Sequence, residues 1–276
     1  MNPTTANLEK IDAWIGRLAE ETDAAAQGEE LTRYLEMVSR FWTYSARNCV
    51  LIASQRPSAT RVASRKTWEG LGRHIAREEW RNSVQILCPR FRKERDEQTG
   101  EVTEVLTHFS TGYVYDVAQT EGEPLPKVAW HQTPGCFELY RSLVGAARRF
   151  GLTISEQSGL RSGLHGWSDA NGRIVINGDD SQGTRCETLL HELAHELCHD
   201  MAARKAFSRQ MLECQADSIA YCCCMALGIP APNTPNYLAF FRVDSALLLS
   251  NLDAIRAGVV RVLRAVEREE EVAGAA

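Results

Sequence analysis

No apolar stretch of this 276-residue sequence approaches the roughly 20 residues that a membrane-spanning helix needs. The amino-terminal text, MNPTTANLEKIDAW, lacks both the basic start and the apolar stretch of a signal peptide. Internal repeats and low-complexity tracts are also missing. The 44% hydrophobic content is enough to bury a core in one or two domains. We therefore expect a soluble cytoplasmic protein without a membrane partner.

The sequence also lacks a C-x-x-C pair, the spacing of many metal and redox sites. Nine cysteines are present, and three of them, Cys222 to Cys224, are adjacent. On a helix, adjacent residues point about 100° apart, so these three side chains cannot share one metal ion. We expect the cysteines to be small buried thiols in a reducing compartment.

The segment HELAHELCHD, residues 191–200, contains the motif H-E-x-x-H, with the histidines at His191 and His195. Helical positions four apart lie on one face, about 6 Å apart along the axis, so the two imidazoles can bind one tetrahedral zinc ion. Glu192, one step round the helix, can then act as general base on a water that the ion activates. Thr184 and Glu187 have the spacing of a capping box before this helix.

A second predicted helix begins at about Leu212 and carries Glu213 and Asp217. A catalytic zinc site uses three protein ligands and one open position, and Glu213 can complete the set. Asp217, one turn further on, can accept the free N–H of a ligand histidine. Two alternatives stay open: Asp217 is itself the ligand, or the histidines bind no metal. His199 lies about 12 Å from His191 along the axis, so we expect it to be structural or to contact a ligand.

The combination of H-E-x-x-H with E-x-x-x-D about twenty residues later resembles the glutamate-zincin peptidases. The local text, HELAHELCHD followed by ECQADSIAYCCCMALGIP, is similar to the ImmA/IrrE-like metallopeptidase domain. The resemblance implies Zn²⁺ as the cofactor, bound by His191, His195 and Glu213. It also implies that Glu192 is the base and that the substrate is a protein, which the sequence does not identify.

Upstream of the histidines, Asn171-Gly172 separates the segments 164–168 and 173–177, as in a tight β-hairpin. The outer strand, Arg173 to Asn177, is where a peptidase would hold an extended peptide by strand addition. An ordinary structural hairpin is the alternative. The sequence does not select among four polar aromatic candidates for stabilising an oxyanion: His165, Trp167, Tyr221 and Tyr237.

The net charge of −5 hides an asymmetry along the chain. Between Arg40 and Arg95 there are thirteen Lys or Arg and four acids, so this segment carries +9 and the remainder −14. Cations that neutralise phosphates, interleaved with rings on which unpaired bases stack, are typical of single-stranded nucleic-acid binding. A solvated basic face with core aromatics is the alternative. The interleaved aromatics are Phe41, Trp42, Tyr44, Trp68, Trp80 and Phe91.

Five segments resemble the amino-terminal domain of ArdC-type antirestriction proteins: 42–52, 55–63, 66–73, 84–89 and 114–122. The resemblance implies a domain that binds single-stranded DNA, followed by a metallopeptidase domain, the order found here. The chain departs from the family between 72 and 84, where Arg77-Glu78-Glu79-Trp80-Arg81 replaces the usual Lys-Gly-Glu turn. The candidate DNA-contacting residues are Arg47, Arg56, Arg61, Arg65, Lys66, Trp68 and Arg73.

We therefore predict an α+β protein with two domains, an α+β domain binding single-stranded DNA at 1–126 and a glutamate-zincin-like metallopeptidase domain at 127–276. The expected linker is Gly122 to Pro126. The predicted function is a zinc-dependent metallopeptidase that binds single-stranded DNA in antirestriction or protection of mobile DNA. The alternatives are a regulatory or DNA–protein-crosslink protease and a non-catalytic DNA-coating protein with structural zinc.

Apolar periodicity predicts the main elements of both domains. Helices are expected at 8–20, 30–39, 137–150 and 245–271, besides the two that carry the candidate ligands. Strands are expected at 84–87, 102–109 and 113–117.

Overall fold

The fold was analysed in a computed structural model of the whole chain. The structure describes residues 2–21, 24–95, 102–125, 136–169, 171–229, 233, 235, 237–240 and 243–274. Of the sequence predictions, the end of the linker at Pro126 and the side chain of Tyr237 lie outside the described residues. Within the described part, every helix is too short or too polar to cross a membrane.

Helices and strands alternate along the first part of the chain, whereas helices dominate the second. The helices are α1 Pro3–Glu20, α2 Ala24–Arg40, α3 Ala46–Gln55, α4 Arg65–Gly70, α5 Cys136–Arg149, α6 Gln182–Cys198, α7 Met201–Ala206, α8 Arg209–Leu227 and α9 Ser245–Gly274. The strands are β1 Val62–Ala63, β2 Arg73–Ile75, β3 Val84–Arg95, β4 Val102–Asp116, β5 Thr120–Gly122, β6 Thr153–Gln157, β7 Gly166–Ser168 and β8 Arg173–Asn177. The predicted α+β class is confirmed.

The chain divides into two compact units, each built from two segments. The first comprises Met1–Arg17 and Ala46–Leu125, and the second comprises Leu18–Ser45 and Pro126–Ala276. The segment Leu18–Ser45 therefore groups with the carboxy-terminal half, because α2 packs on α8, where the Leu35 carbonyl accepts a hydrogen bond from Cys222 Sγ. The assignment of separate functions to 1–126 and 127–276 stays a prediction.

A long antiparallel hairpin, β3 with β4, forms the centre of the first unit. β1 pairs with β4, and β2 pairs with β5 in a second, two-stranded sheet. Two separate strands were expected at 102–109 and 113–117, but β4 runs unbroken through Gly112. A Cβ atom there would lie 2.5 Å from Cys88 Sγ, so glycine permits the close approach of the two strands. The side chain of Asn48 on α3 joins this helix to β3 by bonding both backbone groups of Leu87.

The second unit contains a small sheet with the order β6, β8, β7. β8 is parallel to β6 and antiparallel to β7, so the predicted hairpin is present in β7 and β8. The expectation that Arg173–Asn177 is an outer strand is wrong. Because β8 lies in the middle, both of its edges are paired, and β7 is the edge strand beside the histidine helix.

Serine caps fix the starts of the two helices that carry the candidate ligands. Ser181 Oγ accepts a hydrogen bond from the Thr184 backbone N–H, so α6 begins one turn before the predicted capping box. Glu187 instead accepts hydrogen bonds from the backbone and side chain of Asn233. In the same way Ser208 caps α8, which therefore begins at Arg209 rather than near Leu212.

The helices of the second unit enclose its core. α6 packs against α5, α8 and α9, and α8 also packs against α9. The three adjacent cysteines on α8 are fully buried, and burial raises the pKa of Cys223 and Cys224 well above the usual range. The expectation of buried thiols at these positions is confirmed.

Candidate metal centre and nucleic-acid surface

Three side chains from α6 and α8 meet at one point in the second unit. His191 Nε2 lies 3.1 Å from His195 Nε2, and Glu213 Oε2 lies 3.6 Å from the first nitrogen and 3.3 Å from the second. The histidines come from successive turns of α6, and the packing of α8 on α6 supplies the carboxylate. The residues singled out as ligands in the sequence are thus brought together.

The size of this triangle suits a divalent metal ion. In a tetrahedral site with bonds of about 2.0–2.1 Å, two ligand atoms lie about 3.3 Å apart. The three separations here span 3.1 to 3.6 Å. Two imidazoles and one carboxylate leave the fourth corner of a tetrahedron open, which is the donor set of catalytic zinc sites.

Asp217 lies outside this triangle and contacts the opposite side of a ligand ring. Its Oδ1 is 2.9 Å from His191 Nδ1, so it accepts the proton of that nitrogen and leaves Nε2 as the metal donor. Burial alone would lower the pKa of His191, but hydrogen bonds with Asp217 and Glu213 outweigh it and raise the pKa to about 10. The hydrogen bond from His191 lowers the pKa of Glu213 to about 2, against the effect of burial.

A second ligand ring is held by a buried chain of hydrogen bonds. His195 Nδ1 is 3.0 Å from His199 Nδ1, whose Nε2 is 3.2 Å from Gln215 Oε1. Gln215 donates to Asn251 Oδ1, and Asn251 donates to the Leu247 carbonyl. The sequence pointed to His199 but missed Gln215 and Asn251, because only the packing of α9 brings Asn251 to this place.

The direction of every bond in this chain follows from one assumption, that His195 Nε2 binds the metal. The proton of a neutral ring then lies on Nδ1 and is donated to His199, which must carry its own proton on Nε2 and donate it to Gln215. Burial is the largest cause that lowers the pKa of His199 to about 4. His199 is therefore neutral near pH 7 and can accept the bond.

Glu192 is 8% exposed and lies between the ligands on α6, where the Ser168 hydroxyl on β7 donates to its carboxylate. Burial raises the pKa of Glu192, against the effects of the His191 charge and the Ser168 bond. A carboxylate with a raised pKa is a stronger base than an exposed one, which suits general-base chemistry.

A cleft of about 330 Å³ adjoins the triangle and is lined by β7, the loop before it, and α6 and α8. Gly166 and Ser168 face α6, and a Cβ atom at Gly166 would lie 2.6 Å from Thr188 Cγ2. Of the four polar aromatics named from the sequence, His165 lines the cleft, with Nδ1 2.8 Å from Asp180 Oδ2. Trp167 instead stacks on Arg173 on the other side of the strand.

The six basic residues predicted to contact DNA in the first unit fall into three groups. Arg47, Arg65 and Lys66 are exposed, and Arg56 and Arg61 are half-buried. Arg73 bonds to its neighbours: Nε donates to Thr120 Oγ1, and the terminal nitrogens donate to the carbonyls of Thr120, Gly122 and Glu123. Four of the five N–H groups of Arg73 are thereby used to join β2 and β5, so a phosphate-binding role is not supported.

Trp68 was a candidate DNA contact, but its ring is only 2% exposed and offers no face to a base. Trp68 packs with Ile75 and Tyr115 in a small core, and its indole N–H donates to the Tyr115 carbonyl. The sequence offered no signal that would separate this buried ring from the exposed one at Trp80.

Comparisons with known proteins match two parts of the chain to different family models. Residues 8–117 match the N-terminal domain of anti-restriction factor ArdC, and residues 147–235 match the IrrE N-terminal-like domain of the peptidase M78 family. A comparison with curated protein sequences finds no significant match. The fold and the site define the class as a two-domain protein with a metallopeptidase-family domain. The two matched domains, in this order along the chain, resemble those of ArdC-type proteins.

Two solved structures of the antirestriction ArdC protein from the R388 plasmid are similar to this chain. The Mn(II)-bound form is 14% identical, covers 94% of this chain and 97% of its own, and has a TM-score of 0.53. The metal-free form is 17% identical, covers 82% and 86%, and has a TM-score of 0.49. At these identities the likeness of the Mn(II)-bound form concerns the fold alone.

Proposed function

We propose that this chain is a metal-dependent peptidase that binds single-stranded DNA and acts in antirestriction. The observation that carries the proposal is the His191, His195 and Glu213 triangle with buried Glu192 beside it and a cleft in front. A structural metal site is normally closed by four protein ligands, whereas this one has three and opens on a cleft.

When bound, a divalent metal activates a water molecule and polarises the carbonyl of a peptide. Glu192 accepts a proton from the attacking water and passes it to the leaving amine. In its doubly protonated form, with Nδ1–H donated to Asp180, His165 can donate Nε2–H to the carbonyl oxygen as negative charge develops there. Ser168 holds the Glu192 carboxylate toward the cleft side of α6.

An extended substrate segment would pair with the free edge of β7. Among the residues that the structure describes, this strand bonds to β8 along one edge only, and Gly166 and His165 of the same stretch line the cleft. Backbone pairing of this kind gives affinity with little sequence preference, because specificity then depends on side-chain pockets. Substrate pairing with β7 would therefore suit a peptidase that recognises an exposed strand or an unfolded segment.

Zinc is the metal that we propose, because two imidazoles and a carboxylate form one of its common catalytic donor sets. Manganese prefers more oxygen ligands in an octahedral arrangement. The R388 protein is described with Mn(II), so the metal carried by this chain should be identified on protein purified without chelators or added salts.

Single-stranded DNA is the nucleic acid that we propose for the first unit. Support comes from the ArdC N-terminal match and from the excess of cations between Arg40 and Arg95. Cations of this kind contribute a sequence-independent affinity that weakens as salt rises. A peptidase that binds single-stranded DNA would encounter its protein substrate on or near that DNA.

The test compares new protein amino termini in cells that express the native chain or Glu192→Gln, each with and without single-stranded DNA from a conjugating plasmid. The variant removes the base and no ligand, so it should keep its metal and lose cleavage by roughly 10²- to 10⁴-fold. His165→Gln separates the oxyanion role from the base. Identical new termini in the native and Glu192→Gln samples would contradict peptidase activity and favour a DNA-coating protein with a structural metal.

A further inference from the structure

Trp80 is the exposed counterpart of buried Trp68 in the first unit. Half of its surface, 50%, is exposed, and it follows a short turn, Arg77–Glu79, between β2 and β3. A large aromatic ring gains its usual stabilisation by burial, so an exposed ring in a fixed position needs another explanation.

The position of Trp80 is fixed by its neighbours. Its indole N–H donates to the Ile75 carbonyl at 3.3 Å, and Tyr115 Oη donates to the Trp80 carbonyl at 3.0 Å. These bonds connect Trp80 to the core formed by Trp68, Ile75 and Tyr115. The ring is therefore held rigidly at the surface, which lowers the entropic cost of binding a partner against it.

One face of the Trp80 ring carries a cation. The Arg65 guanidinium lies 4.6 Å from the ring centroid, and Arg65 Nε donates to Glu69 Oε1 at 2.6 Å. Because it lies over the ring, the planar guanidinium occupies that face and itself offers a flat surface on which a base can stack. The remaining exposed area of the ring is open to solvent.

The residues around this ring are mostly basic. Between Arg56 and Arg81 the chain has seven cations and three acids. Two of the acids already have partners. Glu69 forms an ion pair with Arg65, and Glu79 accepts a hydrogen bond from Gln119 and forms an ion pair with Arg56. The exposed charges adjoining the ring along the chain or on α4 are Lys66, Arg77, Arg81 and the acid Glu78.

We propose that Trp80 is the platform on which an unpaired base of single-stranded DNA stacks. Arg65 occupies one face of the ring, where its planar guanidinium takes part in the stack, and Lys66, Arg77 and Arg81 attract the phosphates on either side. The inference rests on the proposed function and adds the residue on which a base of the single strand stacks. A duplex does not fit, because its bases already stack on one another and offer no free face.

The test uses the full-length protein and fluorescein-labelled oligo(dT) of about 15 nucleotides, within the range of single-strand site sizes. Trp80→Ala should weaken binding, measured by fluorescence anisotropy, by about 5- to 150-fold, which corresponds to roughly 1–3 kcal/mol for one stacked base. Trp80→Phe keeps an aromatic face and should recover most of the affinity. Phe137→Ala removes a similarly exposed ring from the second unit and should change nothing.

A second readout guards against misfolding of the variant. Stacking quenches indole fluorescence, so oligo(dT) should quench the native protein and quench Trp80→Phe much less. No binding by the native protein would reject the proposed DNA function itself. Binding of native strength by Trp80→Ala, or equal quenching in Trp80→Phe, would overturn the platform while leaving DNA binding intact.

Discussion

The helices of the candidate metal centre and the basic region differ in how far the sequence determines the position of each side chain. In α6, the spacing of His191 and His195 already determines that their side chains share a face, because helix geometry is nearly invariant. In the basic region, composition gives the charge of the surface but not the orientation of any ring. Trp68 and Trp80 are twelve residues apart with the same chemistry, yet one is 2% and the other 50% exposed.

The difference shows where local geometry is sufficient and where tertiary packing decides. A helix places residues four apart together whatever surrounds it. By contrast, whether a tryptophan near short strands and turns is buried depends on tertiary packing. Trp68 is buried because α4, β2 and β4 pack together around its ring. Spacing on a helix is therefore the stronger basis for assigning a site.

The largest expected effect is on the free energy of unfolding and concerns Trp68, which composition alone would count among the DNA-binding residues. Trp68→Ala should lower the free energy of unfolding by about 3–5 kcal/mol, because it empties a core position and leaves the Tyr115 carbonyl without its donor. Trp80→Ala should change it by less than about 0.5 kcal/mol beyond the loss of its own surface contacts. Urea denaturation measures the free energy of unfolding of both variants. A stable Trp68→Ala variant that loses DNA binding would reverse the two roles.

The buried chain behind His195 offers a finer test of the metal site. Asn251→Ala and His199→Ala should each weaken metal affinity by roughly 10- to 100-fold, the usual cost of losing an outer partner of a ligand. His165→Gln, a histidine of the same cleft without a bond to a ligand, is the control. Competition with a fluorescent chelator gives the affinities. Native affinity in Asn251→Ala would mean that α9 does not contribute to the site.

The smallest expected effect is a proton released on metal binding. In the metal-free protein the pKa of His191 is about 10 and that of Glu213 about 2, while burial lowers that of His195. At pH 7, His191 therefore carries a proton that the metal must displace, so affinity rises with pH and about one proton is released. Calorimetry in two buffers of different ionisation enthalpy measures it. Asp217→Asn should reduce the release, because it removes the partner that raises the His191 pKa.

Much of the ligand set was accessible from the sequence, whereas its supporting groups were only partly so. The two spacings on α6 and α8 predicted the three candidate ligands, the candidate base and Asp217, because all five lie on helices, whose periodicity can be recognised in a sequence. Gln215 and Asn251 were missed because their roles require the packing of α8 against α9. The edge position of β7 was missed as well, since strand order depends on the parallel pairing of β6 with β8.

In the first unit, the strands were predicted more reliably than the DNA-contacting residues. Alternating apolar residues indicated β3 and β4, although the strands extend further than the pattern. Arg73 was assigned to phosphate because an arginine in a basic region looks available for binding. Its bonds to the carbonyls of Thr120, Gly122 and Glu123 form only when β5 returns beside β2, a contact about 50 residues apart in the chain.

The central claim is that α6 and α8 hold one divalent ion through His191, His195 and Glu213, and metal stoichiometry tests it most directly. Elemental analysis after equilibration at fixed free zinc should give about one ion per chain for the native protein and for Glu192→Gln. Under the same conditions Glu213→Ala should give almost none, with an intermediate value for Asp217→Ala. One ion in Glu213→Ala together with none in Asp217→Ala would contradict the account and make Asp217 the third ligand.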